Sequence, residues 1–535
     1  MRRIQSRVNI NSPEYQENLK ANEARLGEFH RRQNAARHER PQRDLDRLAR
    51  QGKMLPRERL EMLLDPGTPF LELSTLAAGE HYDGDSPSAS CITGIGIVCG
   101  REVLIHANDS TVKGGAWYPM TIKKIVRAMD IAIENHLPVI HLCDSAGGFL
   151  PLQSELFGDK YFAGRIFRNQ AILSKMGCKQ LSLVFGHCTA GGAYVPALSD
   201  YSVIVRGTGA VFLGGPPLVK AATGEEVTVE ELGGADMHTS VSGTCDYPAD
   251  TEEEAIAIGR EIVAQWSKTK KWDAQQQAPE APYYDPKELY GIIPANIKTQ
   301  FDMMEVIARV VDGSRFHEYQ PAYGKTLICG FAHIWGYKVG IIGNNGILFN
   351  DSSKKASHFI QLCNQNKTPL VFLQNITGYM VGREYEREGI TKDGAKMIMV
   401  QAGSEVPKFT IMTNGSYGAG NYGMCGRAFD SRFLFSWPNS EISVMGGEQA
   451  AKTLATIKTT QLEREGKTLS DEERAKIYSD VTDDYEHQSS AYYTSSLIWD
   501  DGIIDPADTR NALGMAIATA MNAPIEDPRY GVLRI

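Results

Sequence analysis

The residues with the clearest capacity for chemistry are short runs of glycine and alanine that expose backbone amides. There are five of them: Ser145–Gly148, Ala190–Ala193, Gly214–Pro217, Gly418–Gly420 and Gly446–Gly447. Glycine lets a backbone N–H approach a ligand closely and permits positive φ. A pair of amides at the start of a helix can hold an oxyanion, and one donor contributes about 3–4 kcal/mol in a transition state. The runs therefore predict either oxyanion binding by backbone or tight turns alone.

Side-chain catalytic motifs are scarce by comparison. Neither H-E-x-x-H nor a phosphate-binding P-loop occurs. Gly418–Gly423 spells G-x-G-x-x-G, but its counterpart in the first half lacks the pattern, which disfavours dinucleotide binding. Asn414–Gly418 misses the nucleophile-elbow pattern because Asn414 replaces the first glycine. The adjacent His187 and Cys188 indicate packing more than a catalytic dyad.

Two of the amide runs occupy equivalent places in a repeated sequence. Residues 94–109 align with 330–345 without a gap, and Asn135–Leu142 resembles Asn366–Leu373. The offset is long and nearly constant, which indicates duplicated domains and not a solenoid, whose repeats are roughly 20–50 residues. Because Ala190–Ala193 falls opposite Gly418–Gly420, a site made of backbone amides is predicted to occur twice.

The elements that must position these runs follow an α/β pattern, since short apolar strands alternate with helices after about residue 90. Predicted strands are Val103–His106, Val139–Cys143, Leu181–Phe185 and Ser202–Val205, with helices at Ile122–Asn135 and Phe162–Met176. The predicted division is an N-terminal helical segment (1–90), a first domain (91–270), a linker (271–300) and a second domain (301–535). Within the N-terminal segment, acids interleave with many arginines, which favours a salt-bridged, solvated helix surface over a phosphate-binding arm.

Composition narrows the class of protein. The chain has 535 residues, 42% hydrophobic content and a net charge of −9, so no general affinity for nucleic acid or acidic membranes follows. No apolar run reaches the roughly 18 residues of a membrane span. Nine scattered cysteines without C-x-x-C predict neither a metal site nor a disulfide framework. The early acids Glu14, Glu17 and Glu23 disfavour a transit peptide, so we expect a cytoplasmic bacterial protein, with the mitochondrial matrix as the alternative.

A set of longer motifs carries a family resemblance: Pro56–Arg59, Leu63–Gly67, Pro69–Leu73, Thr111–Gly115, Cys188–Tyr194, Gly215–Glu225, Gly233–Asp236, Asp312–Phe316, Gln374–Gly378, Gly415–Met424, Met445–Ala450 and Asp500–Pro506. Through them the chain resembles, over nearly its whole length, the carboxyltransferase β subunit of biotin-dependent acyl-CoA carboxylases. The branch it resembles is that of the 3-methylcrotonyl-CoA and geranyl-CoA carboxylases.

The resemblance implies two tandem crotonase-like domains (ClpP/crotonase superfamily) related by internal duplication. It also implies a homo-hexamer whose active sites lie at a dimer interface, between the first domain of one chain and the second of another. The implied reaction moves carboxylate from carboxybiotin to the γ-carbon of a β-methyl-enoyl-CoA. Biotin then supplies the base, and two oxyanions need holding: the biotin ureido oxygen and the thioester enolate.

The same resemblance implies the site residues. One oxyanion hole is expected at Gly191, Gly192 and Ala193 and the other at Gly418, Ala419 and Gly420, with their division between biotin and thioester left open. The residues expected to contact coenzyme A are Lys113, Gly114, Gly115, Ser145, Ala146 and Gly147. For Lys113 the alternative is an ordinary surface lysine.

The chain lacks a biotin attachment sequence. Its nearest string, Gly394–Met397, misses the methionine that precedes the lysine in biotin carriers and opens an apolar helical stretch. An ATP-binding signature is also missing. The resemblance therefore implies a partner α subunit with biotin carboxylase and biotin carrier domains.

The acyl pocket is where the sequence departs from the methylcrotonyl pattern. Ala163 stands where we expect phenylalanine, and the preceding loop Asp144–Gln153 also differs. The pocket residues are taken to be Phe149, Phe162, Ala163 and Gly164. A methyl in place of a phenyl ring predicts a larger acyl group, such as geranyl, unless Phe149 or Phe162 refills the space. The alternatives are 3-methylcrotonyl-CoA itself, as in leucine catabolism, a crotonase-like hydratase or isomerase that needs no biotin, and a non-catalytic scaffold.

Overall fold

The structure is a computed structural model that describes residues 1–267, 270, 276–466 and 469–533. The helices are α1 Pro13–His38, α2 Gln42–Arg50, α3 Pro56–Leu63, α4 Pro119–Glu134, α5 Ala163–Lys175, α6 Tyr194–Leu198, α7 Pro216–Thr223, α8 Val229–Gly233, α9 Ala235–Ser240, α10 Glu252–Ala264, α11 Leu289–Ile292, α12 Met303–Val310, α13 Asn350–Gln365, α14 Arg383–Glu388, α15 Ile390–Ala402, α16 Gly418–Gly423, α17 Gly447–Arg464, α18 Asp471–Ser489, α19 Ala491–Ser496 and α20 Thr509–Ala520. The strands are β1 Arg2–Arg3, β2 Leu71–Leu73, β3 Cys91–Val98, β4 Arg101–Asn108, β5 Val139–Ser145, β6 Gln180–Thr189, β7 Tyr201–Val205, β8 Ala210–Phe212, β9 Tyr247–Ala249, β10 Arg315–Tyr319, β11 Leu327–Ile334, β12 Tyr337–Asn344, β13 Ile347–Leu348, β14 Leu370–Ile376, β15 Gly378–Tyr379, β16 Lys408–Tyr417, β17 Phe433–Ser436 and β18 Glu441–Ser443.

Two large mixed sheets share a path of six strands, from β2 to β7 in the first and from β10 to β17 in the second, and each adds one strand of its own, β9 or β1. The first has the order β2-β3-β4-β5-β6-β7-β9, and the second β1-β10-β11-β12-β14-β16-β17. Each contains an antiparallel hairpin, β3–β4 or β11–β12, followed by parallel strands reached through helices. A short extra strand, β8 or β18, pairs with the end of the longest strand, β6 or β16. The α/β prediction is confirmed, and the strand path repeats as the sequence does.

Side chains repeat along with the strands. Asp65 accepts the two amides of the turn between β3 and β4 at 2.9 and 2.7 Å, and Arg260 lies 2.8 Å from its carboxylate. Asp312 accepts the two amides of the turn between β11 and β12 at 3.1 and 2.7 Å, with Arg510 at 2.6 Å. A carboxylate that bonds two turn amides fixes the turn, so these two aspartates hold equivalent hairpins in equivalent ways.

Each half also buries one lysine on the first helix after its hairpin. Lys124 of α4 donates to the carbonyls of Ser88 and Cys91, at 2.9 and 2.8 Å. Lys355 of α13 donates to the carbonyl of Leu327 at 2.7 Å. Burial lowers the pKa of both lysines. The surrounding carbonyls offset that penalty and tie each helix to the start of its hairpin.

Two glycines at equivalent positions allow an aromatic ring to pack closely against each hairpin. A Cβ on Gly94 would lie 2.3 Å from the ring of Phe70, and one on Gly330 would lie 2.4 Å from the ring of Phe316. We expect Gly94→Ala and Gly330→Ala each to lower the free energy of unfolding by about 1–3 kcal/mol, because the added methyl overpacks the core. Chemical denaturation measures the change.

Gly27→Ala is the matched control for these two variants. Gly27 lies inside α1 with open space where a Cβ would go. Alanine there should leave stability unchanged or raise it by less than about 1 kcal/mol, since glycine is a poor helix former. Wild-type stability in Gly94→Ala or Gly330→Ala would contradict the close ring packing.

The N-terminal helix α1 packs on the second half of the chain. Its Asn22 side chain donates to the carbonyls of Tyr290 and Ile293 at 2.9 and 2.7 Å. Within the predicted linker the segment 289–294 is accordingly packed, with Leu289 and Ile293 fully buried. Toward the C-terminal end of α1, Arg31 and Arg32 both pair with Glu28, in agreement with the predicted salt-bridged helix surface.

A buried ionic cluster joins the two halves. The carboxylate of Asp501 is 0% exposed and bonds Arg127 of α4 at 2.8 Å and Arg427 at 2.9 Å. Although burial opposes it, the two guanidinium groups hold the pKa of Asp501 down to about 2. Its neighbour Asp500 is equally buried, and there burial raises the pKa to about 6. The hydroxyls of Ser436 and Ser495 partly offset that rise in the pKa of Asp500.

No helix in the described ranges combines the length and the apolar character that crossing a membrane requires. Eight of the nine cysteines are buried. Among the described residues, no group of three or more His, Cys, Asp or Glu side chains is arranged to hold a metal ion.

Candidate active site

The first amide run lies where strand β6 turns into a helix. β6 ends at Thr189, Ala190–Ala193 form one 3₁₀ turn, and α6 continues from there. Ala190 takes a positive φ of 53°, which turns the chain sharply. The first amides of a helix have no acceptor within it, so the amides of Gly191 and Gly192 are placed to meet a ligand. We call Ala190–Ala193 the first amide corner.

The second amide run makes the same corner in the second half. β16 ends at Tyr417, and α16 begins at Gly418, which has a φ of 58°. Ala419 is exposed, whereas Gly420 is buried. A Cβ on Gly420 would lie only 2.5 Å from the side chain of Ile376, so this position requires glycine. We call Gly418–Gly420 the second amide corner.

Buried polar side chains hold the second corner from beneath. The Ser416 hydroxyl donates to the side-chain carbonyl of Gln374 at 2.6 Å and accepts from the Asn421 amide at 2.8 Å. All three residues are buried. Since each of these bonds fixes the end of a strand or the start of α16, the corner is a rigid element of the sheet edge.

The six residues predicted to contact coenzyme A form one pair of loops beside the first corner. The Ala146 amide donates to the Gly114 carbonyl at 2.9 Å, and the Ser145 hydroxyl donates to the Gly115 carbonyl at 2.7 Å. The Gly147 amide completes the pair by donating to the Ser145 hydroxyl at 3.1 Å. Lys113, at the start of this pair, is 38% exposed and lies 3.0 Å from a carboxylate of Asp85.

This loop pair borders the first amide corner directly. A Cβ on Gly192 would lie 3.8 Å from the Ser145 hydroxyl oxygen. The first half has a parallel bridge between Trp117 and Gly148, which joins its two loops. In the second half the parallel pair of strands β13 and β15 occupies the equivalent place. Each corner therefore has its own pair of loops at the carboxyl ends of parallel strands, where α/β sheets commonly bind ligands.

An ionic network lies under the loop pair of the first half. Asp144, the residue before Ser145, lies 3.2 Å from Lys53 and 3.4 Å from Arg59, and Arg59 also bonds Glu252 at 2.7 Å. All four side chains are at least nine-tenths buried. The network explains the motif Pro56–Arg59, because its second arginine fixes the end of β5.

The predicted acyl-pocket residues lie around the start of α5 and the end of the loop pair. Phe149 stacks on Tyr118 with ring centroids 4.3 Å apart and 15° between planes. Phe162 precedes α5, and the amide of Ala163, its first residue, donates to the Leu156 carbonyl at 2.9 Å. Gly164 has open space where a Cβ would lie.

Aromatic residues that the sequence did not single out face the first corner. A Cβ on Gly191 would lie 3.6 Å from Phe167 and 3.7 Å from Trp117. Tyr194 lies 5.5 Å from Phe167, centroid to centroid. Their signal in the sequence is adjacency alone, since Trp117 follows the predicted coenzyme A loop and Tyr194 follows the amide run.

The side-chain alternatives gain no support from the geometry. A hydrogen bond to Cys143 and burial raise the pKa of the Cys188 thiol well above its usual range, so Cys188 stays protonated beside the exposed His187. The string Gly394–Met397 lies inside helix α15, where Lys396 approaches Asp393 at 3.6 Å. That lysine is therefore not presented on a hairpin turn.

Comparison with known proteins shows the family of the chain. A family model described as the carboxyl transferase domain matches residues 48–531. The chain belongs to this family. Membership covers both amide corners and both loop pairs, so the resemblance drawn from the motifs is confirmed.

Two curated relatives and one solved structure refine the likeness. The chain is 50% identical to a probable mitochondrial methylcrotonoyl-CoA carboxylase β chain of Drosophila melanogaster, covering 99% of this chain and 95% of that one. It is 53% identical to a biotin-dependent 3-methylcrotonyl-coenzyme A carboxylase β1 subunit of Mycobacterium tuberculosis, covering 90% and 92%. The crystal structure of the P. aeruginosa geranyl-CoA carboxylase β subunit superposes with a TM-score of 0.87 at 40% identity, covering 99% of each chain.

Proposed function

We propose that this chain is the carboxyltransferase component of a biotin-dependent acyl-CoA carboxylase and that it carboxylates the γ-carbon of a β-methyl-enoyl-CoA. The observation that carries the proposal is the pair of equivalent amide corners. Carboxyl transfer places negative charge on two oxygens, and preorganised backbone donors are the means of holding such charge. The methylcrotonoyl and geranyl names of the relatives support this substrate class.

Each part of the site has a role in this proposal. Gly191, Gly192 and Ala193 hold one oxyanion, and Gly418, Ala419 and Gly420 hold the other. The residues that fix the coenzyme A chain beside the first corner are Lys113, Gly114, Gly115, Ser145, Ala146 and Gly147. Carboxybiotin, delivered by a biotin carboxylase and biotin carrier α subunit, supplies the carboxyl group and the base.

The finer architecture belongs to the same proposal. The two halves are crotonase-like domains related by duplication, spanning about residues 91–270 and 301–535, and they meet in a homo-hexamer. Exposed apolar side chains beside both corners support burial by a second copy of the chain. Leu213 and Leu218, which follow the first corner, are 62% and 60% exposed, and Val444, which follows the second, is 75% exposed. The proposed compartment is the bacterial cytoplasm, or otherwise the mitochondrial matrix.

The proposed acyl group is larger than methylcrotonyl, because Ala163 carries a methyl group where the methylcrotonyl pattern is expected to carry a phenyl ring. Phe149, which could otherwise refill the space of that ring, is engaged with Tyr118. With the biotinylated partner present, we expect higher kcat/KM for geranyl-CoA than for methylcrotonyl-CoA. Ala163→Phe should lower kcat/KM for the ten-carbon substrate about tenfold to hundredfold and spare the five-carbon one.

Ala163→Ser is the control for this experiment, since it keeps the volume small. Identical losses on both substrates in Ala163→Phe would show general damage and sink the specificity role. A second candidate substrate is 3-methylcrotonyl-CoA itself, favoured by identities of 50% and 53% to proteins of that name. Equal or better turnover of methylcrotonyl-CoA by the wild type would select this second candidate.

A further inference from the structure

A cavity lies at the edge of the first sheet opposite the first amide corner. Its volume is about 300 Å³, at the lower end of the range of small-molecule sites, roughly 300–1,000 Å³. The side chains that give it its chemical character are Arg101, Lys179, Tyr201, Tyr247, Ile262 and Trp266. We call this cavity the basal pocket.

The basal pocket is remote from the first amide corner. Lys179 directly precedes β6, and Tyr201 and Tyr247 begin the parallel strands β7 and β9. The pocket therefore faces the amino ends of these strands, whereas the corner follows the carboxyl end of β6. The ten residues of β6 separate the two by about 30 Å, at roughly 3.3 Å per residue. A ligand in the basal pocket is thus distinct from a ligand at the corner.

Two buried donors at the basal pocket have no hydrogen-bond partner in the part of the chain that the structure describes. They are the Nε of Arg101 and the indole Nε1 of Trp266, a residue that is 8% exposed. Leaving a buried donor unpaired costs about 1–3 kcal/mol. Two such donors in the lining of one cavity indicate that an acceptor belongs there.

The basal pocket is also cationic. Arg101 and Lys179 line it, and no acidic side chain of the described residues does. Within the described ranges neither cation has a salt-bridge partner, since Glu102, beside Arg101 on β4, pairs with Lys270 at 2.6 Å. Burial lowers the pKa of Arg101, so the charge of this guanidinium is not fully compensated. A bound anion would supply the missing negative charge.

The helix ends nearby do not account for the two cations. Helices α5 and α10 end beside the pocket, and basic side chains often bond the last carbonyls of a helix. Here backbone amides bond carbonyls at both ends. The Gly177 amide donates to the Ser174 carbonyl at 2.9 Å, and the Trp266 amide donates to the Val263 carbonyl at 3.0 Å. Both ends are therefore closed without the two cations, which stay available to a ligand.

Apolar side chains form the other part of the lining. The rings of Tyr201 and Trp266 lie 6.4 Å apart, centroid to centroid, with 37° between their planes. Ile262 is buried beside them, at 6% exposure. Small-molecule sites combine such apolar walls with a few polar groups that fix the orientation of the ligand. These walls favour an organic anion over an inorganic one.

We propose that the basal pocket binds a small organic carboxylate with an apolar body. Arg101, Lys179 and the indole N–H of Trp266 hold the carboxylate, and the apolar body lies against the rings of Tyr201 and Trp266. The proposal goes beyond the proposed function, since it requires no acyl-CoA at the first corner. It would hold for any reaction that the amide corners perform.

The test uses three probes. Phenylacetate has the proposed chemistry, phenylacetamide is a neutral analogue of nearly the same shape, and inorganic phosphate has no apolar body. Calorimetric titration of the full-length chain gives Kd for each. The variants are Arg101→Gln, Lys179→Gln and Trp266→Phe, the last of which removes the indole N–H and keeps a ring. Lys20→Gln is the charge-matched control, because Lys20 is exposed on α1 and lies outside the pocket.

We expect the wild type to bind phenylacetate more tightly than the other two probes. Arg101→Gln and Trp266→Phe should each weaken phenylacetate binding about tenfold, the effect of losing one hydrogen bond to a charged group. Lys179→Gln should weaken it less than about fivefold, since exposed ion pairs contribute little. Lys20→Gln should leave Kd unchanged.

Four results would overturn the proposal. They are equal affinity for phenylacetate and phenylacetamide, tighter binding of phosphate than of phenylacetate, wild-type affinity in both Arg101→Gln and Trp266→Phe, and no binding of any probe by the wild type. Because the titrations contain neither biotin nor acyl-CoA, each of these results leaves the proposed carboxyl transfer untouched.

Discussion

Ala419→Pro is expected to lower kcat for carboxyl transfer about 10²–10³-fold, the loss seen when one oxyanion donor is removed. Proline has no backbone N–H, and the second residue of a helix accepts its fixed φ. The preceding residue, Gly418, has a φ of 58°, a conformation that glycine adopts without strain. The substitution therefore deletes one amide at the second corner and leaves the helix α16 in place.

Steady-state kinetics with the biotinylated partner measures this loss. Ala419→Ser is the matched control, because it changes the exposed side chain and retains the amide. The equivalent test at the first corner is Gly191→Pro against Gly191→Ala, since a Cβ there meets only ordinary contacts at 3.6 and 3.7 Å. Unchanged turnover in a folded Ala419→Pro protein would exclude backbone oxyanion binding at the second corner and revive a scaffold role.

Asp501→Asn is expected to destabilise the fold by about 3–5 kcal/mol, because it removes the buried carboxylate that Arg127 and Arg427 share, and Glu134, 3.6 Å from Arg127, replaces it only in part. Asp500→Asn is its matched control on the neighbouring residue, and it should be neutral or stabilising at neutral pH. There burial raises the pKa of the native carboxyl to about 6, so its charge at neutral pH opposes folding. Chemical denaturation of both variants tests the contrast, and similar losses from the two would refute this account.

The opposite pKa shifts of Asp501 and Asp500 predict opposite effects of pH on the stability of the fold. Asp501 has its pKa lowered to about 2 from 3.8, so its contribution to stability is present above pH 3.8 and is lost as pH falls through 2. Asp500 has its pKa raised to about 6, so it favours folding fully only below pH 3.8 and loses that contribution as pH rises through 6. Removing Asp500 should accordingly flatten the stability profile between pH 4 and 7.

The repeated strand path and both amide corners could be predicted because they depend on local sequence. Gly94 and Gly330 are required because an aromatic ring packs against each hairpin. Both glycines begin the aligned segments 94–109 and 330–345, so the alignment already places them at equivalent positions. The strand-to-helix corner at Ala190 was expected from its glycine neighbours, although alanine itself holds the positive φ. The loops that bind to one another, 113–117 and 145–149, also follow predicted strand ends.

The position of α1 could not be predicted, for a physical reason. Part of its buried face consists of Asn18 and Asn22, whose side chains bond backbone carbonyls in the second half. Polar residues on a packed face remove the apolar periodicity on which helix packing is normally inferred. The separate roles of the N-terminal arginines were hidden for a related reason, since alternating charges do not reveal that Arg40 turns inward to Asp109 while Arg43 remains exposed.

The way α1 and β1 pack has a consequence for biosynthesis. β1 pairs with β10, so Arg2 lies opposite Phe316, and α1 rests on α11. Residues 2–38 therefore leave the ribosome long before the strand and helix on which they settle. The first sheet can fold during translation, as leading domains generally do. The opening segment must wait, and it closes over the second half only after that half has been synthesised.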